Sequence, residues 1–127
     1  MKWTFSGNHP IYAQLIEQIE HRIITGEYPP GSTMPSVRTL AVEAEVNPNT
    51  MQKALAELEG KGLLFTQRTA GRYVTEDVKV IDELRIDMAG KYIESFLEGM
   101  DSIGISKDEA VIMLQKAPRG INKGEEK

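Results

Sequence analysis

Apolar residues recur every three or four positions along most of this chain, and the pattern breaks at prolines and glycines. Ile11, Leu15, Ile16, Ile19, Ile23 and Ile24 make one face of a helix over residues 10–25, with Pro10 suited to its first position and Gly26 to its stop. Residues 27–35 (EYPPGSTMP) hold three prolines and a glycine and read as a loop. Ser36 is a good N-cap for a short helix to about Glu45, with Val37, Leu40, Ala41 and Ala44 as its buried stripe. Asn47 and Pro48 start another helix at once, as cap and first residue. It runs to about Lys61 with Met51, Ala54, Leu55 and Leu58 inward, and Gly60 and Gly62 supply its stop. Two helices joined by a turn this short make a helix-turn-helix pattern.

Two short β-prone runs follow, residues 63–67 and 72–75, with Gly71 in the link able to take positive φ. A hairpin in that place is a wing. From Asp77 a single stripe of Ile81, Leu84, Met88, Tyr92, Phe96 and Met100 predicts one long amphipathic helix to about Asp101. Ser106 and Glu109 form a capping box that opens a last helix to about Ala117. The expected fold is mainly α with a small β-hairpin: an N-terminal winged helix-turn-helix (residues 1–75) followed by a two-helix C-terminal dimerisation segment (residues 76–117). Residues 118–127 are expected to form a disordered tail. Two helices cannot bury both of their apolar faces alone. The stripe therefore has two readings, a lid over the winged domain or an isologous dimer interface. The second is favoured, because helix-turn-helix modules gain affinity from paired half-sites.

Composition narrows the chemistry. The chain has 127 residues, 40% of them hydrophobic and 27% charged, enough for a packed aliphatic core. Cysteine is absent, which excludes disulfides, thiolate zinc sites and iron–sulfur clusters. The two histidines, His9 and His21, have no metal-ligand spacing, and His21 reads as a surface residue. No nucleophile–base pair or phosphate loop is present, and Asp82, Glu83 and Asp87 read as an exposed helix face. No catalytic residue, metal or cofactor is therefore expected. No apolar run suits a signal peptide or a membrane span, so the expected location is cytoplasmic.

The net charge of −4 argues mildly against a nucleic-acid partner until it is divided. Residues 1–75 carry seven Lys/Arg and seven Asp/Glu, whereas residues 76–127 carry eight and twelve. The acidic excess lies wholly in the second part. Arg38, Lys53, Arg68 and Arg72 are expected to share one basic face of the first, away from Glu17, Glu20 and Glu57.

The order of motifs is specific. PIYAQ is followed by ITGEYPPGSTMPSVRTLA, then by VNPNTMQKALAELEGKGLL, then by TAGRYV. Over residues 10–75 this resembles the GntR family of bacterial transcription regulators. The NPNT opening and the short two-helix C-terminus are most similar to its YtrA-type subfamily. The resemblance implies a homodimer that binds a palindromic operator in double-stranded DNA, as a repressor of its own operon, often one encoding an ATP-driven transporter. Other branches carry large effector domains for which this chain has no room. A small-molecule effector is left open: a pocket could form between protomers, or none could exist.

The resemblance also implies site residues. Ser36, also the helix cap, and Arg38 are expected DNA contacts: Arg38 matches a DNA-contacting arginine of the family, and its other reading is a solvated side chain. Asn47, Asn49, Thr50, Gln52 and Lys53 lie on the first turns of the recognition helix, where side chains reach base edges and phosphates. Asn47 competes with itself as a helix cap. Pro48 and Gln52 stand where the fatty-acid-regulator branch has guanine-reading basic residues, so that branch's operator does not carry over. Arg68, Thr69, Gly71 and Arg72 belong to the wing, which enters a minor groove, although Arg72 also reads as a plain strand residue. Trp3 and Phe5 pack on the first helix or serve a dimer or ligand surface. The competing function is a winged-helix protein-interaction module that does not bind DNA.

Overall fold

The computed structural model describes residues 2–118; the expected tail falls almost entirely on residues 119–127, outside the described residues. In chain order the elements are α1 (Ile11–Ile24), α2 (Val37–Ala44), α3 (Pro48–Gly60), β1 (Leu64–Gln67), β2 (Gly71–Val74), α4 (Val78–Ser102) and α5 (Lys107–Lys116). They form two compact units, the first ending at Ile86 and the second beginning at Asp87.

The first unit is built on the stripes read from the sequence. Leu15, Ile19 and Ile23 of α1, Leu40, Ala41 and Ala44 of α2, and Met51, Ala54, Leu55 and Leu58 of α3 are all buried in one core. Leu63, Leu64 and Val74 close it from the hairpin. β1 and β2 pair antiparallel, with Leu64 opposite Val74 and Gln67 opposite Gly71. The proline-rich loop before α2 is less free than its composition implies. Its backbone runs beside β2: the Met34 N–H donates to the Arg72 carbonyl at 2.8 Å, and the Val74 N–H donates to the Ser32 carbonyl at 2.9 Å. Gly31 has φ +77°, a left-handed conformation that calls for glycine, and a Cβ there would lie 3.2 Å from the exposed Glu76 side chain.

Local capping sets the helix boundaries. The Ser36 hydroxyl accepts from the Thr39 N–H, and the Asn47 side chain accepts from the Asn49 N–H at 2.7 Å. Between α2 and α3 the chain turns at Glu45, whose φ of 58° is left-handed although the residue is not glycine. Such a residue costs on the order of 1 kcal/mol relative to glycine. The turn holds because the Val46 N–H reaches back to the Ala41 carbonyl at 3.0 Å, and Val46 packs on the core. At α1 the start differs by one residue from expectation. Pro10 is the cap, not the first helical residue, and its side chain makes no cap bond. The Gln14 amide instead ties the preceding segment to the helix, donating to the carbonyls of Ser6 and His9.

Gln14 and Gln18, one turn apart on α1, clamp the preceding segment. Gln18 both accepts from the Thr4 N–H and donates to the Thr4 carbonyl, and Gln14 does the same at Ser6. Trp3 and Phe5 thereby pack against the core, and the Arg22 guanidinium lies 3.7 Å from the centre of the Trp3 ring. Both aromatics therefore pack as one of their two readings expects, while staying half-exposed.

The long helix α4 starts in the first unit. Ile81 is only 5% exposed within the core, and Val80 and Leu84 pack against it. Two residues of the expected dimer stripe, Ile81 and Leu84, are thus packing residues of the winged unit. In the second unit, the Ser106–Glu109 capping box opens α5 as expected, and Ala110 is buried.

Two outcomes follow from this packing. Leu55→Ala is expected to destabilise the protein by about 2–5 kcal/mol, through lost transfer energy and an unfilled cavity; urea unfolding measures it, and an unchanged midpoint would refute the core placement. The Tyr12 hydroxyl on α1 donates to a Glu57 carboxylate oxygen on α3 at 2.5 Å. That bond, with burial and the charge of Glu57, raises the Tyr12 pKa above 10.0. Its stabilising contribution is full below pH about 10 and is lost as pH rises through the raised value. Glu57→Gln is expected to return the ionisation of Tyr12 toward 10, as read from tyrosinate absorbance or ring carbon shifts.

Candidate nucleic-acid interface

Burial of Met51, Ala54, Leu55 and Leu58 leaves the opposite side of α3 to solvent, and Asn49, Gln52 and Lys53 are exposed there. Thr50 is half-buried. Asn47 is exposed, but its side-chain oxygen is committed to the cap. Ser36 is likewise committed, since its hydroxyl also donates to the Thr39 hydroxyl at 3.0 Å. Arg38, in the first turn of α2, is exposed. Arg68 and Thr69 are exposed in the hairpin turn, and Gly71 closes that turn with φ +79° and open space around its Cα. A left-handed position at the tip lets the backbone reverse with no side chain in the way.

The cations of residues 2–75 separate into two sets. Arg22 pairs with Glu27 at 3.3 Å and is 1% exposed, Lys61 pairs with Glu20 at 2.8 Å, and Arg72 lies 3.5 Å from Glu59. Lys2, Arg38, Lys53 and Arg68 have no ion pair among the described residues. The first set ties helices to one another and to the hairpin, and the second is available to an outside anion.

Of the two readings of Arg72, DNA contact in the wing and plain strand residue, its half-buried position beside Glu59 favours the second. Arg72 is opposite Thr66 in the hairpin register, and both side chains turn toward α3, where the Thr66 hydroxyl also donates to Glu59. Alternation along a strand sends successive side chains to opposite faces. Phe65 and Tyr73, one residue away on each strand, stack on the other side with ring centres 5.7 Å apart. The Arg72 charge is answered by Glu59 inside the molecule.

Glu57 also departs from expectation. It was placed away from the basic face, yet it is exposed one helical turn from Lys53 and bonded to Tyr12. The Lys53 ammonium lies 5.1 Å from the centre of the Tyr12 ring. Tyr12 was read only as part of the PIYAQ motif. The four-residue spacing of Lys53 and Glu57 suggests a direct pair, and carries no signal of Tyr12.

Of the dimer stripe, Met88, Tyr92, Phe96 and Met100 fall in the second unit. Tyr92 and Phe96 are 60% and 38% exposed, and Ile93, Val111, Ile112, Met113 and Leu114 are exposed beside them in the chain. That is a large apolar surface for about thirty described residues. Among the described residues, no group of three or more His, Cys, Asp or Glu can hold a metal ion, and no helix is long and apolar enough to cross a membrane.

Comparisons with known proteins agree with this architecture. Residues 11–74 match the family described as "Bacterial regulatory proteins, gntR family". The chain is 36% identical over 105 residues to the uncharacterised HTH-type transcriptional regulator YhcF of Bacillus subtilis, covering 83% of this chain and 87% of that one. It is 44% identical over 70 residues to the HTH-type transcriptional repressor YtrA of the same organism, covering 55% and 54%. A GntR family transcriptional regulator from Listeria monocytogenes superimposes with a TM-score of 0.81 at 39% identity, over 90% of this chain and 100% of that one. The DNA-binding domain of AraR, solved in complex with operator ORX1, superimposes with a TM-score of 0.54 at 29% identity, over 59% and 96%. The chain belongs to the GntR family of bacterial DNA-binding transcription regulators, as a YtrA-like member, and is not an enzyme.

Proposed function

We propose that this protein is a homodimeric repressor that binds a palindromic operator in double-stranded DNA at its own operon, with a transporter operon as the fitting class of target. It would act in the cytoplasm. The observation that carries the reading is the division of the cations. Arg38, Lys53 and Arg68 sit on the helix-turn-helix and the wing with no carboxylate partner among the described residues, whereas the cations that hold the unit together are paired. Unpaired cations can displace counterions from phosphates. Arg38 can form a bidentate contact with a guanine edge or a phosphate, and Asn49 and Gln52 offer the amide pattern that suits adenine. Thr50, near the N-terminus of α3, is placed for a phosphate. Arg68, Thr69 and Gly71 form the tip that would enter the minor groove. Ser36 and Asn47 contribute by fixing the starts of α2 and α3. The operator complexes of AraR and the repressor name of YtrA support DNA binding and repression.

In the dimer, the exposed part of the stripe, Tyr92 and Phe96 with Met88 and Met100, would meet its equivalent in a second chain. Residues 1–75 would serve DNA and residues 76–117 association, with Ile81 and Leu84 packing on the winged unit.

An electrophoretic shift with the protein's own upstream region tests the reading: binding is expected to weaken steeply with salt, and no shift at low salt over any upstream fragment would overturn it. Arg38→Ala is expected to weaken binding about ten- to a hundred-fold with an unchanged thermal melt. Phe96→Asp is expected to give monomers in light scattering and to weaken operator binding with them; an unchanged dimer mass would remove Phe96 from the interface.

A further inference from the structure

A lysine and a glutamate four residues apart on a helix ordinarily meet on its surface. Lys53 and Glu57 of α3 have that spacing, and no ion pair joins them. Tyr12, on a different helix, engages both. Its hydroxyl donates to Glu57 Oε1 at 2.5 Å, and its ring faces Lys53 Nζ at 5.1 Å from the ring centre. Tyr12 is itself fixed, because it packs against the core from the first turn of α1.

We infer that Tyr12 is a positioning residue for DNA binding: it holds the Glu57 carboxylate with its hydroxyl and the Lys53 ammonium with its ring face, and so keeps this recognition-helix cation from being neutralised by its own helix neighbour. The inference rests on the reading above that Lys53 faces DNA. Its physical basis is a balance of similar attractions. An exposed ion pair and an exposed cation–π contact are comparable in strength. The hydroxyl bond to a carboxylate is charge-assisted and short, and it adds to the second arrangement. Removing the hydroxyl alone therefore tips Glu57 toward Lys53. The electrostatic cost of that pairing falls on DNA affinity, since each lysine spared from a carboxylate can release one more counterion from the phosphates. The folded state loses little, because both side chains stay on the surface.

The test is a set of variants measured with and without DNA. Tyr12→Phe keeps the ring and is expected to weaken operator binding about two- to five-fold, the range of one exposed ion pair. Tyr12→Phe combined with Glu57→Gln is expected to return to within two-fold of wild type. In a Lys53→Ala background, Tyr12→Phe is expected to cost nothing further. Wild-type affinity in Tyr12→Phe, or the same loss with and without Lys53, overturns the inference. In the free protein, the nitrogen resonance of the Lys53 ammonium is expected to respond to Glu57→Gln in the Tyr12→Phe chain and hardly at all in wild type. An equal response in both chains overturns the inference without DNA. If the free-protein result is as expected and the wild type binds no upstream fragment, the DNA reading fails while the separation of Lys53 from Glu57 stands.

Discussion

The constraint on which the rest depends is that α3 must bury Met51, Ala54, Leu55 and Leu58 against α1 and α2. Four inward residues on a thirteen-residue helix fix its rotation about its own axis. Once that rotation is fixed, Asn49, Gln52 and Lys53 have nowhere to point except outward. The caps complete the placement. Asn47 pins the first turn, and Glu45 accepts a left-handed conformation so that the chain can reverse within a few residues. The working face of the recognition helix is thus a by-product of core packing, and a substitution that loosens the core would blur it without touching any polar residue.

Charge is organised by the same geometry. Residues 1–75 have as many acidic as basic side chains, and a uniform mixture would present no field to DNA. Pairing removes the uniformity. Glu20, Glu27 and Glu59 are taken up by Lys61, Arg22 and Arg72, each joining different segments of the unit. The carboxylate nearest in sequence to Lys53 is bonded to Tyr12 instead. Arg38, Lys53 and Arg68 are left without an ion pair on the helix-turn-helix and the hairpin turn, alongside the exposed Glu43 and Glu45. With so few such cations per chain, base-edge amides and DNA shape would have to contribute much of the discrimination on the proposed reading.

Most of the fold was legible because its stripes have helical period and its boundaries carry side-chain signals. Ser36, Asn47 and the Ser106–Glu109 box all sit where the capping residues implied. What was not legible depends on contacts distant in sequence. The hairpin register, not the composition of β2, turns Arg72 toward Glu59. Leu84 and Ile81 belong to the same periodic stripe as Phe96, and period alone cannot say that the first two meet the winged core while Phe96 remains exposed. The burial of Arg22 beneath Trp3 likewise joins residues whose types each suggest a surface position or an undecided one. Tyr12 escaped notice as a partner of Lys53 and Glu57 because its neighbours come from the helix across the core.

The second unit poses a different physical problem from the first. Along α4 and α5, Ile93, Phe96, Val111, Ile112, Met113 and Leu114 stay exposed, while Ala110 is buried. Two helices have too little surface to cover apolar side chains of this number by themselves, which is the general difficulty of small domains. Exposure on this scale is ordinarily relieved by association, and a self-complementary apolar stripe is relieved most simply by a two-fold axis. The proposed palindromic operator would point the same way. A single winged unit with few free cations binds weakly, and joining two of them converts the second contact into an intramolecular one. On the proposed reading, the apolar surface that leaves the second unit incomplete and the sparse charge of the first would be answered by the same event, the meeting of two chains.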